Sequence, residues 1–469
     1  MNIKKNFLIN SIYQCLAISV PIILTPYLTR HIGSSGMGTY SFHYSIAYYF
    51  IMFAMLGFSL YGNRSVASVN YDRHTYSKIF WEIYGLQIIS SSVAIVAYTF
   101  FASFFYPNEK NAWIMLLMVI SCAFDINWFY FGLEKFNVTV TRNIYIKLLT
   151  VFLTFLLVKN EQDVVVYALV IGGSTLFSNL ILIIQLPKHV DWVKIKISDI
   201  RKHLLPCLTL FFPTVIVSIY KVVDKIMLGI MSNVSEVGFY ESSERIINLP
   251  MAFITALGTV MLPRVSSMLG NGKIDDCKNL FEKSIKFAMF LSSAMSMGVI
   301  TISREFIPLF LGEDFKKCIL IVDILMPSCL FLAFANVIRT QYLIPHKKDR
   351  SYIISLLIGA AVNLILNTLL IPKFQAIGAA IGTLVAEMTV CFYQVWSIRY
   401  NIDIKKNIKS ICPYLIAGLI MCLGCFGIKR FADLKDWFFL FYKVVIGVII
   451  YFLVLAVFLL VKICVKKNE

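Results

Sequence analysis

Apolar runs of about 20 residues recur along almost the whole chain, and short polar segments separate them. A helix of that length crosses about 30 Å of hydrocarbon, so each run predicts a membrane-spanning helix. We count about fourteen such runs, the first two near residues 9–29 and 38–62. The pattern therefore predicts an all-α membrane protein with about fourteen transmembrane helices.

One of these runs, near residues 204–231, carries polar side chains on one helix face. The polar positions recur at steps of four, three and four residues, with Asp224 beside them: Thr214, Ser218, Lys221 and Lys225. A cation near mid-bilayer costs about 3 kcal/mol on insertion scales, so we expect these groups to face a wet interior. The stripe predicts a binding site. The alternative is a packing cluster in which Asp224 neutralises one ammonium and nothing binds.

Further charges lie inside other predicted spans. The next span, near residues 238–262, places Glu241, Glu244, Arg245 and Asn248 on one face. Three more spans contain Asp125, Arg339 and Glu387. Asp125 either lines a cavity or bonds to a neighbouring helix, and Arg339 either faces a cavity or reaches to the headgroups.

Composition supports a polytopic membrane protein and explains the net charge. The 469 residues are 59% hydrophobic and 15% charged, with a formal charge of +17. With both termini cytoplasmic, roughly 26 Lys and Arg fall on the cytoplasmic side and about 10 outside, as the positive-inside rule expects. The charge therefore reports topology, and we predict no nucleic-acid partner. Most of the eleven cysteines lie within spans, so we predict no metal site.

An internal repeat divides the chain. Identical residues recur at one offset of 200 positions: Leu28/Leu228, Ser35/Ser235, Gly38/Gly238, Tyr40/Tyr240 and Arg64/Arg264. Six spans separate the copies, so both copies have the same orientation in the membrane. We predict an N-terminal lobe at 1–190, a cytoplasmic linker at 191–203, a second six-helix lobe at 204–400, and two additional helices at 401–469.

Two polar segments carry more specific predictions. The glycine-rich stretch Gly33–Gly38 predicts a tight turn outside the membrane between the first two spans. The segment 266–286 alternates apolar and basic residues, which is typical of an amphipathic helix lying at the membrane interface.

Ordered motifs in both halves resemble a known family. They are Pro26-Tyr27-Leu28-Thr29-Arg30, Gly36-Met37-Gly38-Thr39-Tyr40, Leu60-Tyr61-Gly62-Asn63-Arg64, Asp224-Lys225-Ile226-Met227-Leu228-Gly229, Val237-Gly238-Phe239-Tyr240, Leu249-Pro250 and Leu262-Pro263-Arg264. Together they resemble the Wzx-type oligosaccharide flippases of the MOP superfamily, including bacterial capsular repeat-unit transporters.

The resemblance implies two pseudo-symmetric six-helix lobes around a central cationic cavity, which work by alternating access. It implies an undecaprenyl-pyrophosphate-linked oligosaccharide as substrate, carried from the inner to the outer leaflet of the bacterial cytoplasmic membrane for capsule or another surface polysaccharide. Expected partners are membrane lipids, a polysaccharide polymerase and other assembly proteins, with the transporter itself a monomer. The positions that match the family are Arg30, Arg64, Asp224, Lys225, Arg245 and Arg264.

The candidate site combines these positions with the charges inside the spans. The substrate-binding cations are Arg30, Arg64, Lys221, Lys225, Arg245, Arg264 and Arg339. Candidates for ion coupling or charge balance are Asp125, Asp224, Glu241, Glu244 and Glu387. We predict no cofactor, and coupling to Na⁺ or H⁺ stays open. Tyr40 and three nearby tyrosines offer either surfaces for sugars or a membrane-interface belt.

Three alternatives compete with this hypothesis. A teichoic-acid repeat-unit flippase has the same sequence features. A MATE-like cation or drug antiporter of the same superfamily prefers carboxylates, and cations and carboxylates in the core spans are nearly balanced. An enzyme using the same lipid-linked donor needs a large outer loop, but the predicted outer loops are short and no GxSxG, HExxH or P-loop motif occurs. The sequence therefore favours a transporter.

Overall fold

The computed structural model describes residues 3–69, 72–428 and 436–468, and the side chains of residues 3–15, 17, 18, 136, 220, 221 and 462–468 are outside that description. Almost every described residue is helical, and no strand occurs among them. The prediction of an all-α protein is confirmed.

The helices divide into two compact units. The described residues of 1–229 and 233–238 form the N-terminal unit, and those of 230–232 and 239–469 form the C-terminal unit. This division is based on packing. It does not test the predicted repeat or the predicted linker boundaries, which stay predictions. The short segment 233–238, which begins the tenth helix, groups with the N-terminal unit.

The N-terminal unit contains nine helices within the described residues. They are α1 (Ile3–Met55), α2 (Phe58–Ala67), α3 (Arg73–Phe105), α4 (Lys110–Ser121), α5 (Asn127–Gly132), α6 (Phe136–Leu157), α7 (Val164–Gln185), α8 (Ile197–Arg201) and α9 (Leu204–Met231). The start of α3 is fixed by Asp72, whose side chain accepts a hydrogen bond from the backbone N–H of Thr75 at 3.1 Å. The core of this unit includes a fully buried aromatic group around Trp128.

The C-terminal unit contains eight helices in the part of the chain that is described. They are α10 (Val234–Gly270), α11 (Ile274–Leu311), α12 (Lys317–Leu325), α13 (Ser328–Ile338), α14 (Asp349–Phe374), α15 (Ala376–Ile398), α16 (Ile404–Phe426) and α17 (Asp436–Asn468). A five-residue π-helix, Arg339–Leu343, continues α13. Asp403 begins α16 by accepting a hydrogen bond from the backbone N–H of Lys406 at 2.9 Å.

Thirteen helical segments within the described ranges are long and apolar enough to cross a membrane. The first, Ser19–Ala67, is 49 residues long. It covers the second half of the first predicted span and all of the second, because α1 continues through a kink instead of ending. The count therefore agrees with about fourteen predicted spans.

The kink lies at Gly33, with φ 64° and ψ −174°, a backbone conformation that favours glycine. The sequence predicted a turn over Gly33–Gly38, and that prediction is wrong in extent: one residue leaves the helix and the remaining five are helical. The prediction of one helix over 266–286 is also wrong, while the position of this segment at the membrane interface stays a prediction. Its residues form the end of α10, a tight turn at 271–273 and the start of α11.

Candidate functional site

The polar stripe on α9 is partly buried within the N-terminal unit. Ser218 and Asp224 are each 2% exposed, Lys225 is half-buried, and Thr214 is exposed. The side chain of Lys221 lies outside the described residues. Tyr49 on α1 donates a hydrogen bond to the carbonyl oxygen of Ser218 at 3.4 Å. Asp224 and Lys225 both make polar or electrostatic contacts, so the stripe is a packed and polar helix face.

The charged face of α10 contains an ion pair. Arg245 Nε lies 2.8 Å from Glu241 Oε1, one helical turn away, and the two side chains are 21% and 13% exposed. Glu244 is half-buried beside them and has polar or electrostatic contacts of its own. The predicted cation is therefore held in place by a carboxylate of its own helix.

Arg339 is the first residue of the π-helix in the C-terminal unit. Its Nη2 donates to Asn336 Oδ1 at 2.7 Å, and its guanidinium lies 5.9 Å from the ring centre of Tyr352. Asn336 in turn donates to the carbonyl oxygen of Ile254 on α10 at 3.2 Å. π-helical turns interrupt the regular helix ladder and are common at functional sites. This arrangement holds Arg339 against Tyr352 of α14.

A network that the sequence did not predict surrounds Asp125, where the helical chain breaks between a 3₁₀ turn and α5. Asp125 Oδ1 accepts from Asn127 Nδ2 at 2.6 Å, and Asn127 Oδ1 accepts from Arg142 Nη2 at 2.9 Å. Arg142 is 7% exposed and also donates to the carbonyl oxygen of Ser178 at 3.0 Å. Gln87 donates to the carbonyl oxygen of Asp125 at 2.9 Å. The Asp125 carboxylate is therefore bonded locally to Asn127, and Asn127 connects it to Arg142 on α6.

The other predicted residues occupy separate positions. Arg30, Arg64 and Arg264 are exposed, and Arg30 donates to the carbonyl oxygen of Pro26 at 3.3 Å. Glu387 is 5% exposed on α15, and its Oε2 has no hydrogen-bond partner in the described part of the chain. No group of three or more His, Cys, Asp or Glu side chains that could hold a metal ion occurs among the described residues.

The tyrosines of α1 form a continuous row. The ring centres of Tyr40 and Tyr44 are 5.9 Å apart, those of Tyr44 and Tyr48 are 6.4 Å apart, and those of Tyr48 and Tyr49 are 6.3 Å apart. Tyr40 is 8% exposed and packs on Tyr167. The row runs into the core of the N-terminal unit, where Tyr40 is buried.

A scan against protein families matches residues 3–269 to the polysaccharide biosynthesis protein family, more than half of the chain. The chain belongs to this family. A second family, described as MatE, matches residues 210–369. The predicted membership among the polysaccharide flippases of the MOP superfamily is confirmed.

Curated relatives agree with the family. The chain is 22% identical over 407 residues to a putative O-antigen transporter of Escherichia coli, covering 86% of this chain and 98% of the relative. It is 25% identical over 232 residues to a probable low-salt glycan biosynthesis flippase of Haloferax volcanii, covering 50% of this chain and 49% of the relative.

Solved structures show the same fold. The lipid II flippase MurJ in an inward closed conformation matches with a TM-score of 0.74 and 18% identity over 96% of this chain and 98% of that chain. An inward-facing multidrug MATE transporter of the MOP superfamily matches with a TM-score of 0.59 and 14% identity over 83% of this chain and 99% of that chain.

Proposed function

We propose that this protein is a flippase for undecaprenyl-pyrophosphate-linked oligosaccharide repeat units. It moves them by alternating access from the inner to the outer leaflet of the bacterial cytoplasmic membrane, for capsule or another surface polysaccharide. It is a transporter and catalyses no covalent step, and both of its termini are cytoplasmic. The family membership and the O-antigen transporter named among its relatives support this substrate class.

The observation that carries the proposal is the presence of cations on long apolar helices, each held by fixed contacts. Lys225 on α9, Arg245 on α10 and Arg339 after α13 are all half-buried, and each has polar or electrostatic contacts. Removing charge from water is costly, so a membrane protein keeps such groups mainly where a function needs them. A lipid diphosphate with about two negative charges is a ligand that these cations would stabilise.

The roles of the individual side chains follow from their chemistry. Arginine offers a planar pair of donors to phosphate oxygens, whereas lysine supplies a point charge. We assign phosphate binding to the predicted cations of each unit, which are Arg30, Arg64, Lys221 and Lys225 in the N-terminal unit and Arg245 and Arg339 in the C-terminal unit. Arg264, the remaining cation of the predicted set, lines the cavity between α10 and α11 that is described below. The carboxylates Asp224, Glu241 and Glu244 balance these charges when no substrate is bound, and ion coupling through Asp125 or Glu387 is a further assignment. The tyrosine row offers flat surfaces for sugars.

Deleting the gene tests the substrate class. The expected result is accumulation of a lipid-linked oligosaccharide, detected by mass spectrometry of extracted lipids, and loss of surface polymer, detected by staining of intact cells. The sugars in that lipid also distinguish a capsule repeat unit from a teichoic-acid repeat unit. Normal surface polymer with no accumulated lipid would refute the proposal.

Single substitutions test the site. We expect Lys221→Ala, Lys225→Ala and Arg64→Ala each to lower polymer export about tenfold, because each removes a charge-assisted hydrogen bond to phosphate. Membrane insertion, measured by immunoblot, should stay unchanged. Lys316→Ala is the matched control, because Lys316 is an exposed lysine paired with Glu313 outside the proposed site. Normal export in all three variants would disprove the cationic site.

The second candidate function is a MATE-like antiporter of organic cations. The MatE family match at residues 210–369 and the fold similarity to MATE transporters favour it. It predicts that the deletion strain becomes hypersensitive to cationic drugs while its surface polymer stays normal. The deletion experiment therefore separates the two functions in one strain.

A further inference from the structure

A cavity lies where α10 ends and α11 begins, in the C-terminal unit. Its volume is about 470 Å³, which is within the range of small-ligand sites. Three cations line it, Arg264, Lys273 and Lys283, together with the carboxylate of Asp276 and the amide of Asn279. The lining therefore has two more positive than negative charges.

Two other carboxylates of α11, Asp275 and Glu282, have partners of their own. Glu282 Oε1 is bound to Lys406 Nζ on α16 at 2.6 Å, and Asp275 Oδ1 lies 3.6 Å from Lys278 Nζ on the surface of α11. Within the described residues, the side chains of Arg264, Lys273 and Lys283 form no ion pair or hydrogen bond with the protein. Their donors are therefore available to a ligand.

The backbone adds to the positive character of this cavity. Gly272, with φ 73°, allows the tight turn that reverses the chain after α10, and α11 then runs for 38 residues from Ile274. The N-cap residue is Lys273, which makes no side-chain hydrogen bond to the first turn. A long helix has partial positive charge at its N-terminus and favours anions there. The acidic residues of this first turn, one of them Asp276, show the same preference.

The remaining wall is apolar. Met268 and Leu280 line the cavity beside the cations, and Leu280 is half-buried. A suitable ligand carries a compact anionic group with several acceptor oxygens for the cations. The rest of the ligand lies against the apolar side chains. Carboxylates meet the first requirement with two oxygens. Phosphate meets it better, because it accepts several donors at once from Arg and Lys side chains.

We propose that this hairpin cavity binds a phosphate group, supplied either by the headgroup of an anionic membrane lipid or by a soluble phosphate compound. Arg264 contributes a planar pair of donors from α10. Lys273 contributes a point charge from the turn, and Lys283 contributes one from the third turn of α11. The site uses residues of the C-terminal unit alone and does not depend on the proposed transport function.

The test uses the purified full-length protein in phosphatidylcholine nanodiscs. Binding of phosphatidylglycerol is measured by native mass spectrometry after lipid exchange, and binding of inorganic pyrophosphate is measured by calorimetry. One of these two probes should bind the wild type. We expect the double variant Lys273→Gln/Lys283→Gln to bind that probe at least about tenfold more weakly, because it loses two charge-assisted contacts. The matched control is Lys278→Gln/Lys316→Gln, which removes the same charge from exposed lysines that are paired elsewhere.

Each outcome decides the proposal. Weakened phosphatidylglycerol binding in the double variant, with normal binding in the control, supports the site and identifies a lipid source. The same result with pyrophosphate identifies a soluble source. The proposal is overturned if neither probe binds the wild type, if the double variant binds as tightly as the wild type, or if the control loses as much affinity. Identical melting curves establish that both variants are folded.

Discussion

The buried ion pair that holds α17 against α11 gives the sharpest stability prediction. Lys443 on α17 is 4% exposed, and its Nζ lies 2.7 Å from Glu305 Oε1 on α11. The same ammonium donates to the carbonyl oxygen of Thr301 at 3.1 Å and lies 5.8 Å from the ring centre of Phe439. The sequence showed Lys443 as an isolated charge in an apolar helix, and the structure supplies its partner.

The magnitude follows from the charge that remains when one partner is removed. Breaking a buried pair costs about 3–5 kcal/mol, because the other charge stays buried without compensation. We expect Lys443→Met to lower the free energy of unfolding by about 3 kcal/mol, at the lower end of this range, because the Glu305 side chain is 27% exposed and water partly solvates its charge. Glu305 Oε2 already lacks a hydrogen-bond partner among the described residues, so the carboxylate has little alternative support.

The assay is a double-mutant cycle on the purified protein, with the free energy of unfolding measured in mixed micelles. Lys443→Met and Glu305→Gln should each destabilise the protein, and the double variant should lose less than the sum, with a coupling of about 2 kcal/mol. Lys316→Met controls for loss of an exposed, paired lysine. The reasoning is refuted if the two single losses simply add, or if neither variant is destabilised.

Two further predictions concern the N-terminal unit. Gly38→Ala should lower stability by about 1–3 kcal/mol, because a Cβ there would overlap the carbonyl oxygen of Val234, whereas Gly173→Ala, with no atom near its Cβ, should be neutral in the same melting assay. His189 lies outside the spans, and its pKa in the folded protein is lowered, mainly by burial and then by nearby cations. As the pH falls, this histidine is therefore protonated in the unfolded state before it is protonated in the folded state. Stability should therefore decrease as the pH falls below about 6.5. The melting temperature should fall less with pH in His189→Gln than in the wild type, and it should fall as much as in the wild type in the control His74→Gln, whose histidine is exposed.

The fold was predictable because its signal is local. Each apolar run specifies a helix by itself, since backbone groups in lipid must bond within the same segment. The errors occurred where local signals compete with helix continuity. Gly33–Gly38 contains three glycines, yet Met37 within it and Ile32 before it are fully buried, and packing keeps all but one residue helical. Composition alone does not show which glycine bends the chain.

The candidate site was less predictable because its contacts join distant parts of the sequence. Arg142 follows the fourth span and looks like an ordinary loop-flanking cation, but it is 7% exposed and bonds to Asn127. The sequence does contain one sign of this network, the polar pair Asp125 and Asn127 inside an apolar run. The pair lies at a helix break that contains no glycine or proline. The sequence indicated that these groups need partners, and the partner was identified only from the structure.

Two glycines that the predicted internal repeat pairs by sequence are also in contact in the structure. Gly38 and Gly238 were matched only by their offset of 200 positions, yet they lie against each other where α1 meets the first turn of α10, a segment that groups with the N-terminal unit. A Cβ on Gly38 would lie 2.8 Å from the nitrogen of Gly238, and a Cβ on Gly238 would lie 3.0 Å from the nitrogen of Gly38. The two backbones therefore approach each other closely at both glycines. Neither position has room for a side chain, so this close packing explains why glycine occurs at both, while the duplication itself stays a prediction.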